Sequence, residues 1–123
     1  MKMLAAVLVA LVALLHTGFM ILEMFFWTTP FGIKSFGLTE AFAQESAVLA
    51  ANQGLYNGFL AAGLVWGLIA KREAEAIRVF FLGCVIVAGI FGAVTAKSSI
   101  LYVQALPAVL ALIAVKLSAP KRT

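Results

Sequence analysis

Residues 3–27 read Met3-Leu4-Ala5-Ala6-Val7-Leu8-Val9-Ala10-Leu11-Val12-Ala13-Leu14-Leu15-His16-Thr17-Gly18-Phe19-Met20-Ile21-Leu22-Glu23-Met24-Phe25-Phe26-Trp27. A helix needs about 20 mostly apolar residues, at about 1.5 Å each, to cross a hydrocarbon core about 30 Å thick. This stretch is long enough. Its opening resembles a secretory leader, with Lys2 followed by an apolar run to Leu15. The apolar character resumes through Phe19, Ile21, Phe25 and Trp27, and Leu14-Leu15-His16 stands where a small-residue cleavage site belongs. The stretch therefore reads as a retained membrane helix.

Three further stretches meet the same test. The expected spans are about residues 3–27, 46–70, 77–96 and 99–117. Composition agrees: 64% of the 123 residues are hydrophobic and 11% are charged, with a mean hydropathy of +1.11. A soluble domain averages roughly 45–50% apolar and about 25% charged residues. These values exclude a soluble enzyme, a disordered regulator and a nucleic-acid binder. One cysteine (Cys84), one histidine (His16) and no aspartate exclude a disulfide framework and a multi-cysteine metal site. No metal or cofactor is expected, and there is no nucleophile–base–orienter set, phosphate loop or dinucleotide fingerprint.

The basic residues order the topology. Lys2, Lys71, Arg72, Arg78, Lys116, Lys121 and Arg122 fall at the N-terminus, the second connection and the C-terminal end, and only Lys34 and Lys97 fall at the other two connections. Cytoplasmic loops carry the excess of Lys and Arg, so both termini are expected on the cytoplasmic side of a cell membrane. That distribution also accounts for the basic composition without an anionic ligand. Trp27 and Tyr102 fit an outer aromatic belt, and Trp66 an inner one.

Pro30, Gly32 and Gly37 in the first connection stop the first helix and permit a turn. Thr39 is a candidate N-cap with Glu40 in the following first turn, so the second helix is expected to start outside the bilayer. The other connections are short and make their flanking helices antiparallel neighbours. The expected architecture is all-α: one integral-membrane domain over residues 1–123, a four-helix up-down-up-down bundle.

Polar side chains within apolar spans need partners. Glu23 is the one acid inside an expected span, and His16 lies two turns earlier on the same face, with Met20 and Trp27 completing a stripe. The second span carries Asn52-Gln53-Gly54-Leu55-Tyr56-Asn57-Gly58. Projection at about 100° per residue groups Asn52, Gln53, Tyr56 and Asn57 on one arc of about 140°, and Gly54, Gly58, Ala61 and Ala62 on another. Gln104 and Pro107 lie in the fourth span, and the proline frees a carbonyl near Val103. If each helix turns its polar face inward, Glu23, Asn52, Gln53, Tyr56, Asn57 and Gln104 converge in the outer half, with His16 at the floor.

Two readings of this cluster compete with a third. An ionisable residue in a span is by default a functional-site hypothesis, here a site that binds or transports a small polar or cationic molecule. A structural or accessory subunit would use the same groups only to fix helix packing. A lipid-modifying enzyme would use His16 and Glu23 as an acid–base pair; the chain is read as leaning away from catalysis. One His and one Glu do not complete a usual metal-ligand set. Cys84 reads as a small buried hydrophobe.

The run Asn52-Gln53-Gly54-Leu55-Tyr56-Asn57-Gly58-Phe59-Leu60-Ala61 resembles the signature of a bacterial domain-of-unknown-function family of small four-span membrane proteins. Supporting segments are Glu23–Trp27, Phe36-Gly37-Leu38, Phe81–Gly89 and Val103–Pro107. The resemblance implies a four-helix protein of the cytoplasmic membrane and carries no activity with it. Besides the lipid bilayer, the expected partners are a second copy of the chain and a small polar ligand.

Overall fold

The computed structural model describes residues 1–120, so the expected topology signals Lys121 and Arg122 lie outside the described residues. These residues are helical without a strand: α1 (Lys2–Phe25), α2 (Pro30–Phe36), α3 (Glu40–Ile69), α4 (Ala74–Thr95), and a π-helical turn (Leu101–Ala105) leading into α5 (Leu106–Ser118). Three stretches are long and apolar enough to cross a membrane: Lys2–Phe25, Ala74–Thr95 and Leu101–Ser118. The protein is a membrane protein on that ground. In α3 the amides Asn52, Gln53 and Asn57 dilute an otherwise apolar helix of 30 residues.

The helix ends follow local chemistry. Thr39 caps α3 as expected, with its Oγ1 accepting from the Phe42 N–H at 3.2 Å. The first helix ends at Phe25, two residues before the expected limit, and the connection holds a short helix that hydropathy did not indicate. Thr29 caps this α2, with Pro30 at its start. Gly37 closes it in the left-handed conformation (φ 65°), and Leu38 N–H bonds back to the Ile33 carbonyl at 2.9 Å. That is the Schellman arrangement, which glycine adopts without steric cost. Pro107 lacks an N–H, and the backbone before it widens into the π-turn, where the Leu106 N–H bonds to the Leu101 carbonyl.

The chain forms two compact units: His16–Phe59, and Met1–Leu15 together with the chain from Leu60 on. In the latter, all four long helices supply the core: Ala5, Val9, Val12 and Ala13 of α1, Leu64 of α3, Leu82 and Val85 of α4, and Ala108, Ala111, Ala114 and Val115 of α5. Most of these side chains are small. Helices in lipid gain no hydrophobic force from meeting each other, so small side chains that let backbones approach are what hold them. Many of the larger apolar residues face outward, as Leu14 (69% exposed) and Phe91 (68%) do.

Contacts set the helix directions. Gly63 lies against Phe81 and Gly67 against Arg78, so α3 and α4 run antiparallel. Gly89 lies against Ala105 and Gly92 against Ile100, and farther along Lys116 Nζ bonds Glu75 Oε1 at 2.8 Å, so α4 and α5 are antiparallel too. A Cβ at Gly89 would stand 2.8 Å from both the Cβ and the backbone N of Ala105. Backbone cannot step aside as a flexible side chain can. Gly89→Val is therefore expected to lower stability by about 1–3 kcal/mol, the usual cost of overpacking, read as a lower Tm in detergent. An unchanged Tm would contradict this account of the α4–α5 contact.

Candidate functional site

Within the unit His16–Phe59, α1 and α3 pack antiparallel through glycine. A Cβ at Gly54 would stand 2.7 Å from Met24 Cγ, 3.0 Å from Glu23 Cβ and 3.1 Å from the Met20 carbonyl oxygen. At Gly58 it would meet Met20 Sδ at 2.7 Å. The two helices are thus as close as their backbones and the Met20 side chain permit. The buried positions of α3 within this unit are Ala43, Ala50, Gly54 and Asn57, seven, four and three residues apart, the spacing of one helix face.

That spacing carries Asn57 into the seam with the glycines. Asn57 is 6% exposed, and its Nδ2 donates to Glu23 Oε1 at 3.1 Å. The second carboxyl oxygen, Glu23 Oε2, is buried and is the one such side-chain atom without a hydrogen-bond partner among the described residues. Buried polar oxygens in folded proteins are nearly always paired, because an apolar surrounding offers no substitute for water. The site is therefore a carboxyl group held at one oxygen by an amide and open to a donor at the other.

His16 is fully buried, with its ring edge-on to Phe19 at a centroid distance of 5.4 Å. It and Glu23 share the inward stripe expected of α1, two turns and about 10 Å of rise apart. Toward the connection, Trp27 Nε1 donates to Ser46 Oγ at 3.0 Å, and Ser46 Oγ donates to the Phe42 carbonyl at 2.6 Å. The indole also rests on Phe36 of α2, with ring centroids 4.7 Å apart. Thr29 Oγ1 accepts from the Gly32 N–H and donates to the Phe26 carbonyl. Gly32 sits so tightly on Phe26 that no side chain fits there.

The expected inward convergence of the α3 polar run is corrected in part. Asn52 and Gln53 are exposed, and Tyr56 is 52% exposed, with its ring beside Phe59. The small residues occupy the contact with α1, and these three side chains are turned out of it. Asn57 alone of the run joins Glu23. Gln104 lies in the π-turn, within the other compact unit, and is half-buried. Cys84 is half-buried rather than buried. Sequence reasoning missed Ser46 as the partner of Trp27, and it missed α2. The pair Thr29-Pro30, a cap residue before a proline, was the available signal for that helix.

Comparison with known proteins agrees with the resemblance read from the sequence. The chain belongs to the family described as "Protein of unknown function (DUF1304)", whose model matches residues 10–116. The uncharacterized protein YpaA of Lactococcus lactis subsp. lactis (strain IL1403) is 31% identical over 116 residues, covering 92% of this chain and 97% of that protein. No solved structure matches.

Asn57→Leu removes the donor to Glu23 and leaves both carboxyl oxygens without this partner. Breaking one side of such a buried pair costs about 1–3 kcal/mol, so a lower Tm in detergent is expected. Tyr56→Phe, on the exposed side of the same helix turn, is expected to leave the Tm within about 0.5 kcal/mol of wild type. Equal losses from both variants would contradict the assignment of Asn57 alone to the seam.

Proposed function

We propose that this membrane protein binds, and by binding carries, a small polar or cationic molecule at Glu23. The observation that supports the reading is the half-satisfied carboxyl: Oε1 on Asn57 and Oε2 buried without a partner. A ligand ammonium or other N–H donor would complete it, in surroundings where one charge-assisted hydrogen bond is strong. Glu23 bears the acceptor and Asn57 aims it. The exposed Asn52, Gln53 and Tyr56 would contact a ligand only on its way to the carboxyl or through a second copy of the chain. The proposed setting is a cytoplasmic membrane crossed four times, with both termini on the cytoplasmic side, after the distribution of Lys and Arg.

A second reading has its own support. The Asn57–Glu23 bond joins two helices and lies between glycine contacts, as a register-fixing bond in a structural subunit would.

Glu23→Gln separates the two readings, because Gln keeps an oxygen for Asn57 and replaces the open acceptor with a donor. With methylammonium and ethanolamine as probes, and tetramethylammonium (which has no N–H to donate) as the control, wild type is expected to gain thermal stability in detergent from the first two alone. At a probe concentration 100 times its Kd the gain is about 2.7 kcal/mol. Glu23→Gln is expected to gain none while retaining its probe-free Tm. If no probe stabilises wild type above Glu23→Gln, the binding reading fails and the structural one stands.

A further inference from the structure

A cavity of about 310 Å³ opens among Lys2 and Ala6 of α1, Ala74, Glu75 and Arg78 of α4, and the C-terminal turn of α5. Its volume falls within the range of about 300–1,000 Å³ seen for small-molecule sites. The helices that line it are the three that are apolar and long enough to cross a membrane, and each contributes its terminal residues. The cavity therefore stands at the level where hydrocarbon gives way to headgroups.

Among the described residues the charges in it are not balanced. Glu75 is engaged by Lys116, 2.8 Å away. Arg78 is held by its Nε, which donates to the Gly67 carbonyl in the last turn of α3 at 2.7 Å. That bond satisfies an end-of-helix acceptor and fixes the guanidinium plane, leaving its terminal N–H groups for another acceptor. Lys2 adds a second cation on the facing helix. Ser118 hydroxyl donates to the Val115 carbonyl and takes no part. The remaining wall, Ala6, Ala74, Val115 and Ala119, is apolar.

Two cations above an apolar wall, at headgroup depth and between helix ends, fit a phosphate group that carries hydrocarbon. We propose that this pocket binds the phosphodiester of an anionic phospholipid, with Arg78 and Lys2 as its ligands and the alanine and valine wall against the glycerol and first methylenes. Planar guanidinium suits phosphate by presenting paired donors. Basic pockets between membrane helices are known to take anionic headgroups. The site is separate from Glu23 and does not depend on any role for it.

The test is lipid retention by the purified full-length protein, with phosphatidylglycerol, phosphatidylcholine and inorganic phosphate as probes, read by native mass spectrometry and by Tm. Phosphatidylglycerol is expected to be retained and to raise the Tm, and phosphatidylcholine to do neither. Lys2→Gln, at an exposed position, is expected to weaken phosphatidylglycerol binding about fivefold, the usual weight of one basic residue near an anionic lipid. Ala6→Leu fills the pocket without altering charge and is expected to weaken it too. Equal retention of both lipids, or unchanged binding in both variants, overturns the proposal. Displacement of phosphatidylglycerol by millimolar inorganic phosphate, with the same Tm gain, would assign the pocket to free phosphate and overturn the lipid assignment.

Discussion

Lipid chains are as apolar as leucine, so membrane helices hold together where their backbones can come close and not because their side chains avoid water. In this protein each successive long-helix contact is built on that constraint. Gly54 and Gly58 admit α1, Gly63 and Gly67 face α4, and Gly89 and Gly92 admit the chain leading into α5. The buried alanines and valines continue the same economy of side-chain volume, with Leu64 and Leu82 the largest apolar side chains fully enclosed, while many phenylalanines and leucines turn outward. The polar chemistry follows from this packing. Asn57 reaches Glu23 because it lies three residues after Gly54, on the face that the glycine has already brought against α1.

Much of the fold was legible because apolar runs of membrane length have few other readings. The inward face of α1 was legible at His16, Met20 and Glu23, since an acid and a histidine at helical spacing mark the face that avoids lipid, but Trp27 lies past the end of the helix, in the connection. The α3 face was harder. Projection alone put Asn57 with Asn52, Gln53 and Tyr56, because these four residues occupy neighbouring angles. What decides the facing is volume: the seam follows the smallest side chains, and Asn57 lies at the edge shared by the amide arc and the glycine arc. The polarity of Asn52 and Gln53 was therefore a poor guide to their direction.

The two clusters of ionisable groups have opposite character. Around Glu23 the protein offers one acceptor oxygen, Oε2, without a donor, framed by apolar packing. Around Lys2 and Arg78 it offers donors at a helix-end pocket whose one acid is already engaged. Sparse charge makes each of these arrangements more informative than it would be on a soluble surface, where neighbouring charges and water would blur it. Lys2 and Arg78, two of the basic residues whose distribution carries the expected orientation, are also residues that line the pocket.

The Trp27–Ser46 bond has a bearing on assembly. It closes the 14-residue connection between Phe25 and Glu40 onto itself, with α2 folded under the indole ring. Extended, a connection of that length could reach on the order of 45 Å, far enough for α1 to leave its own α3 and insert beside the α3 of another molecule. The clasp keeps the connection short and the pairing within one chain. A single indole N–H thereby favours a self-contained bundle over helix exchange between neighbours.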